Sequence, residues 1–364
     1  MVNIGMRTIV EEIYMKVLQV LIPVGMGGVE RIASQLVKNS HNDMDVIIAI
    51  DERYYSEFLQ YFPISKEKII KLNCYTKINT INSIKDVIRN IKPDIIHTHA
   101  RKECVIVSVV NKSIPHIRTQ HMEERPRIKV TLIEKMLLEK RVNYWVATSK
   151  LLEREYLLKK DYIKSQKTHV IYNGVCNEKF RANFDSQKRF CIISRLTTQK
   201  GIDILLKQFD LMPQNIKDNI RVDIWGEGPE LKLLTEIIKQ FNLEKNFCYK
   251  GICKCPAEHF EDYDALLMPS RYEGLPLTML ESMSTGTPVA IHDVGCVREF
   301  ICNGKNGWIV NEEFTWQNFF QDFLYGRFSY KDICINARNT YEELFTIEKM
   351  CNSYYSVYKK IETK

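Results

Sequence analysis

Residues 16–22, KVLQVLI, form an apolar run of strand length. The run halts at Pro23, and the glycine-bearing stretch Val24-Gly25-Met26-Gly27-Gly28 follows. Over residues 29–38 the period becomes helical, with Ile32, Ala33, Leu36 and Val37 on one face. Strand, glycine loop and helix in that order open a doubly wound α/β fold. Apolar runs at 45–50, 95–99, 144–148 and 167–172 are separated by helical stretches. Such alternation predicts a parallel sheet covered on both faces.

The pattern pauses at Asn173-Gly174, a turn signal, and residues 180–188 are polar and poor in apolar side chains. It restarts with a strand at 189–194, a helix at 202–209, strands at 221–225 and 265–269, and a helix at 277–284. The last segment, 340–364, reads as one helix. The expected organisation is an extension at 1–14, a Rossmann-like domain at 15–182, a second at 183–339 and a closing helix at 340–364. Two such α/β units facing each other across a cleft would place a ligand there.

Size agrees, because 364 residues exceed the usual span of one hydrophobic core. Nothing in the Gly or Pro content suggests disorder, and no internal repeat emerges. The net charge of +7 is concentrated, with 12 Lys/Arg against 5 Asp/Glu over residues 125–169. That run is either a solvated surface or one that attracts phosphates or an anionic leaflet. No apolar run approaches the ~20 residues needed to cross a bilayer, and residues 1–14 lack the pattern of a signal peptide. The eleven cysteines form no disulfide framework. Cys253 and Cys255, with Cys248 nearby, lack the second pair of a tetrahedral zinc site. Free thiols of this kind suit a reducing cytosol.

The densest chemistry lies in residues 269–288, PSRYEGLPLTMLESMSTGTP. Glu273 precedes a helix and Glu281 sits inside it, eight residues on. Gly274 permits close backbone approach, and Pro276 suits a first helical turn. The amides at that helix start are a ready phosphate site. Alone, two glutamates fit a plain amphipathic helix as well. Ser194-Arg195-Leu196 ends a strand and Lys200-Gly201 opens the next helix, a turn whose cations suit a diphosphate. Gly226-Glu227-Gly228-Pro229 follows the next strand, where α/β folds bind nucleotides.

Taken in order, seven pieces resemble family 4 of the glycosyltransferases, the retaining family with the GT-B fold. They are Gly27-Gly28-Val29-Glu30; residues 93–99, PDIIHTH; Thr119-Gln120-His121; and Ile171-Tyr172-Asn173-Gly174-Val175. The remaining three are Ser194-Arg195-Leu196 with Lys200-Gly201; the glycines at 226 and 228; and the Glu273–Glu281 pair. One departure is Cys176, where the family usually has aspartate.

The resemblance implies roles. Arg195 and Lys200 would neutralise a donor diphosphate. Glu273 would hydrogen-bond the donor sugar, helped by the Gly274 and Leu275 amides, while Leu277 and Thr278 would meet the distal phosphate and Glu281 the ribose. Gly226 would line the nucleotide site, and Gly27 and Gly28 would bring first-domain backbone to the donor. His121 would donate a hydrogen bond near the reacting centre. His97 and His99, two apart on a strand, are expected on opposite faces, as packing and cleft-lining residues and not ligands.

On this resemblance the chain would move a hexose or N-acetylhexosamine from a nucleotide-diphosphate sugar, UDP favoured. The acceptor would be a lipid-linked or lipopolysaccharide, O-antigen or capsule saccharide. No metal or other cofactor is expected, since the DxD pair of metal-using transferases is missing, and no nucleic-acid partner is implied. Retention would proceed by front-side attack. An amphipathic helix at 128–142, with Val130, Ile133 and Leu137 on one side and Lys135, Lys140 and Arg141 elsewhere, would lie on the anionic inner face of the cytoplasmic membrane. A nucleotide-sugar 2-epimerase of the same fold, or a non-catalytic relative, are the alternatives.

Overall fold

The computed structural model describes residues 15–123, 131–180, 188–253 and 255–362. The extension at 1–14, the first part of the expected basic helix and most of the polar stretch at 180–188 lie outside the described residues.

Thirteen strands are found among them. The first seven are β1 (Met15–Leu21), β2 (Met44–Asp51), β3 (Ile69–Leu72), β4 (Ile95–Thr98), β5 (His116–Gln120), β6 (Tyr144–Ala147) and β7 (Thr168–Val170). They form a sheet in the order β3-β2-β1-β4-β5-β6-β7, and β1 pairs in parallel with both β2 and β4. The other six are β8 (Arg189–Ile193), β9 (Arg221–Trp225), β10 (Phe247–Gly251), β11 (Ala265–Met268), β12 (Val289–His292) and β13 (Gly307–Val310). Their order is β10-β9-β8-β11-β12-β13, every neighbouring pair parallel. These are two Rossmann-like sheets, as the alternating pattern predicts.

Side-chain alternation explains why the second sheet is apolar throughout. Phe190 and Ile192 of β8 enter a core with Phe209, Trp308, Trp316, Phe319 and Phe320. Cys191 and Ile193 of the same strand enter another with Leu266, Met268, Met279 and Met283. A strand buried on both faces reads as continuous hydrophobicity, which is what marked it in the sequence.

The chain divides into two compact units. One comprises Met1–Thr119, Lys129–Trp145 and Tyr354–Lys364; the other comprises Gln120–Ile128 and Val146–Ser353. In the second unit the Asn173–Val175 turn is anchored. The Val175 amide donates to the Phe345 carbonyl (2.9 Å), and the Ile347 amide donates to the Val175 carbonyl (3.2 Å). This pairing corrects the single closing helix expected at 340–364. Two helices occur, Tyr330–Leu344 and Ile347–Glu362, because the main chain at 345–347 bonds to Val175 instead of continuing its own ladder.

A second correction concerns β4. The strand period of two puts residues i and i+2 on one face, not opposite faces. The rings of His97 and His99 accordingly lie 4.2 Å apart. Both are buried and committed. His97 bridges the Tyr358 and Thr119 hydroxyls (2.8 Å each), and His99 Nε2 meets Gln19 Oε1 (2.9 Å). They are packing residues of the first unit.

The basic helix is Leu132–Arg141, started by Thr131 Oγ1 accepting from the Glu134 amide (3.2 Å). Arg101 grips the Glu134 carboxylate with two bonds (2.7 and 2.8 Å). Its buried side chain is Leu138, whereas Leu132, Ile133 and Met136 are exposed. The outward apolar stripe therefore runs through 132, 133 and 136: of the expected Val130, Ile133 and Leu137, Ile133 is exposed, Leu137 is half-buried and Val130 lies outside the described residues.

The Tyr341 hydroxyl, fully buried, also donates to the Val175 carbonyl (3.1 Å). That carbonyl keeps the Ile347 amide if the hydroxyl is removed, so no acceptor is orphaned. Tyr341→Phe is expected to lower stability by only about 1 kcal/mol, read as a shift in the urea midpoint at unchanged slope.

Candidate active site

The second sheet changes direction between β8 and β11: the chain builds outward through β9 and β10 on one side, then through β12 and β13 on the other. Ligands of open parallel sheets bind beyond the carboxyl ends of the strands at such a switch point. Lys200 lies beyond β8 and Glu273 beyond β11. The structure joins them: Lys200 Nζ is 2.6 Å from Glu273 Oε1, and both side chains are largely shielded (19% and 5% exposed). The same carboxylate oxygen accepts from Ser270 Oγ (2.7 Å).

Backbone lacing holds the two loops in place. The Arg271 amide donates to the Gln199 carbonyl (2.8 Å), and Gln199 Nε2 donates to the Tyr272 carbonyl (3.1 Å). The Arg271 guanidinium clamps Asp203 through two 2.8 Å bonds, which keeps that carboxyl below the usual range. Gly201 sits at φ +64°, where a Cβ would stand 2.0 Å from the Pro269 carbonyl oxygen. Contact this close between the β8 and β11 loops is open only to glycine.

Two further segments pack against the β8 and β11 loops that carry this pair. Gly226 abuts Ser194, neighbour of Arg195, so closely that a Cβ would fall 1.8 Å from the Ser194 carbonyl oxygen. The Leu196 amide donates to the Glu227 carbonyl (2.7 Å). Gly274 packs on the His121 main chain, with a Cβ position 2.2 Å from its carbonyl oxygen. The His121 segment therefore lies directly against the Glu273-Gly274 turn.

Beyond the turn the helix Leu277–Thr285 begins, with Pro276 extended at its N-cap and no side chain capping it. Leu277 and Thr278 hold its first turn, partly exposed, and Leu275 is buried. The Leu275 carbonyl accepts from Asn173 Nδ2 (3.1 Å), and the Gly274 carbonyl accepts from Cys296 Sγ (3.1 Å). Glu281, one turn inside the helix, is 5% exposed. Burial first, and the Glu281 charge second, push the Cys253 thiol up to about 11. Arg195 is exposed on the loop after β8.

Gly27 and Gly28 belong to the other unit. Gly27, extended, caps the helix Gly28–Lys38, and its carbonyl accepts from the Arg31 amide (3.1 Å). Among the described residues no group of three or more His, Cys, Asp or Glu side chains is placed to hold a metal ion, and all eleven cysteines are free.

The sequence reading gave no role to Ser270 or Cys296, and named Asn173 only as a turn residue; the bonds of all three shape the Glu273 turn. Ser270 was visible only as part of the quoted motif. Cys296 lies 22 residues from the carbonyl it serves, a separation that no local pattern reveals.

The chain resembles known proteins along most of its length. Residues 177–324 match the model of the glycosyl transferases group 1, and residues 26–179 match that of glycosyltransferase family 4. The chain belongs to glycosyltransferase family 4. An uncharacterised glycosyltransferase of Methanocaldococcus jannaschii is 25% identical over 75% of this chain and 81% of its own. A poly(ribitol-phosphate) α-N-acetylglucosaminyltransferase of Staphylococcus aureus is 33% identical over 35% of this chain, a match spanning 26% of that protein. Among solved structures, a glycosyltransferase of Rickettsia africae superposes with a TM-score of 0.79 at 20% identity, covering 96% of this chain and 98% of that one. The Anabaena protein HepE in complex with UDP superposes at 0.78 and 17% identity, covering 95% of this chain and all of that one. At such identities these structures speak for the GT-B fold of the transferase.

Gly201→Ala is expected to cost about 3 kcal/mol or more, since left-handed strain adds to the collision with Pro269. Gly304, at φ +72° with nothing within 4 Å of a Cβ, is the matched control. Gly304→Ala is expected to cost about 1–2 kcal/mol. Equal urea midpoints for the two variants would mean that the loops are not in contact.

Proposed function

We propose that this transferase carries a hexose or N-acetylhexosamine from a nucleotide-diphosphate sugar, UDP favoured, to a saccharide acceptor with retention at the anomeric carbon. The observation that carries the reading is the shielded Lys200–Glu273 pair at the switch point of the second sheet. A carboxylate fixed by two donors suits sugar hydroxyls, and an ammonium beside it suits a diphosphate.

In this reading Lys200 and Arg195 stabilise the departing diphosphate. The first amides of the helix Leu277–Thr285, at Leu277 and Thr278, receive the distal phosphate. Glu273, with the Gly274 and Leu275 main chain, orients the sugar; Glu281 serves the ribose and Gly226 the nucleotide end. His121, packed against Gly274, faces the reacting sugar. Two cations and a helix terminus supply the charge a metal would otherwise bring, so no metal is required. Names of relatives support retention: the Staphylococcus aureus protein and a poly(glycerol-phosphate) α-glucosyltransferase of Bacillus subtilis both make α-linked products. Retention gives that outcome from an α-linked nucleotide sugar. Their polymer acceptors, and the lipopolysaccharide outer core galactosyltransferase among the structural neighbours, favour a cell-surface saccharide here.

Glu273 Oε1 is already held by Lys200 and Ser270, which disfavours it as a nucleophile. Front-side attack fits better. The bond from the anomeric carbon to the phosphate oxygen breaks, and the acceptor oxygen bonds on the same face. The acceptor proton passes to the departing phosphate, giving a glycoside and a nucleoside diphosphate.

With a panel of UDP-, GDP- and ADP-sugars, one UDP-sugar is expected to release nucleoside diphosphate, stimulated by a crude lipid-linked acceptor extract and unchanged by EDTA. Isomerisation without release would instead indicate an epimerase, and a sugar–enzyme adduct found by mass spectrometry would end the front-side account.

Among the described residues no helix is long and apolar enough to cross a membrane. Exposed Leu132, Ile133 and Met136 on a helix that also carries Lys135, Lys140 and Arg141 support peripheral contact with an anionic leaflet on the cytoplasmic side. Sedimentation with anionic vesicles should weaken several-fold in Ile133→Asp and at high salt. Salt-independent or absent binding in the parent protein would remove the membrane contact.

A further inference from the structure

His292 ends β12, which lies between β11 and β13. Its ring touches two groups of fixed character. The Trp316 indole Nε1 donates to His292 Nε2 (2.8 Å), and His292 Nδ1 points at the Ser270 carbonyl oxygen (3.3 Å). An indole N–H can only donate and a carbonyl can only accept. The imidazole must therefore be neutral, with a bare Nε2 and its one proton on Nδ1. Ser270 in turn donates its hydroxyl to Glu273 Oε1, the oxygen that also receives Lys200 Nζ. The bonds run in one direction: Trp316 to His292, His292 to Ser270, Ser270 to Glu273.

We propose that His292 is a positioning residue that, as a neutral imidazole anchored on Trp316, holds the Ser270–Glu273 turn in its ligand-ready geometry, and that its protonation breaks the Trp316 anchor on which that hold depends. This role rests on the reading of Glu273 as a donor-sugar ligand. A second proton would place an N–H against the Trp316 N–H, two donors face to face. The link to the β11 turn and the link to the helix Trp316–Tyr325 could not then both persist.

The surroundings favour the neutral ring. Trp316 is 1% exposed. Burial is the main force holding the imidazole below its ordinary value; the Ser270 and Pro269 carbonyls oppose it, and Arg271 adds to it. Arg271, on the β11 loop, is paired with Asp203 of the helix Ile202–Asp210. On the β12 side Asp293 is paired with Arg298, and on the β13 side Glu312 faces the same space. That space is a cavity of about 860 Å³ lined by His292, Ser270, Arg271, Asp293 and Glu312 among others. It gives protons access to the ring.

The sign follows directly. The folded-state value lies below the unfolded one, so the Trp316 anchor is intact at neutral and alkaline pH and fails as pH falls through the folded value. The test is the pH profile of kcat/KM for the donor, with thermal melts at each pH confirming the fold. His292→Phe is expected to lose about tenfold at pH 8, one hydrogen bond's worth of positioning. His292→Asn retains a donor and an acceptor without a titrating ring, and should recover most of that loss while lacking the acid limb. Trp316→Phe removes the group that keeps Nε2 bare and should move the limb up by about one pH unit. Identical acid limbs in the parent, His292→Asn and Trp316→Phe would overturn the proposal. Imidazole ¹⁵N shifts of the parent protein read the tautomer without any substitution, and a protonated Nε2 at pH 7.5 would overturn it too. Glu273→Ala separates the two layers: full turnover in that variant refutes the donor reading itself, whereas loss there with no effect at His292 refutes only the positioning role.

Discussion

An ammonium and a carboxylate sit 2.6 Å apart, largely shielded from water, at the end of a parallel sheet. Removing either partner would leave a desolvated charge, so the pair persists only because the surroundings compensate both members. Ser270 supplies one compensating bond to Glu273. The remaining capacity of Lys200, two of the three donors on its nitrogen, is what a phosphate oxygen can use. The pair therefore serves two purposes: it fixes the geometry of two loops, and it presents opposite charges side by side to a ligand that carries both hydroxyls and phosphates.

The backbone around it is built to permit that approach. Three glycines, at 201, 226 and 274, each lie where any side chain would strike a neighbouring carbonyl. Each brings a loop from a different strand end to its neighbour: β11 to β8, β8 to β9, and the His121 segment to the β11 turn. The switch-point topology provides a concentration of loops, and the glycines provide its closeness. The aromatic core around Phe190, Trp308, Trp316 and Phe319 holds β8, β12 and β13 as a rigid platform beneath them.

Much of this was legible in the chain because it is written in local pattern. Continuous apolar runs marked the buried strands, and the change to helical period marked the covering helices. Glycine and proline punctuation placed Lys200-Gly201 and Gly274 at strand-to-helix turns. What remained hidden depends on contacts remote in sequence. The break between Leu344 and Ile347 exists because Val175 pairs with that stretch, and the helical pattern across 340–364 carries no trace of it. The adjacency of His97 and His99 follows from strand geometry and was available from the start, but their partners, Tyr358 above all, come from the far end of the chain. Ser270 stood inside the quoted motif, yet its bond to Glu273 needs the turn to fold back on itself. His292 offered no signal, since a lone histidine ending an apolar strand is indistinguishable from a packing residue.

The central claim is that Lys200 and Glu273 act as one unit on the donor. A double-mutant cycle on donor turnover tests it most directly, comparing Lys200→Ala, Glu273→Ala and the double variant. If the pair works as a unit, each single variant loses about a hundredfold or more and the double is scarcely worse than the poorer single. Losses that multiply in the double variant, or a single variant that turns over like the parent, would contradict the account.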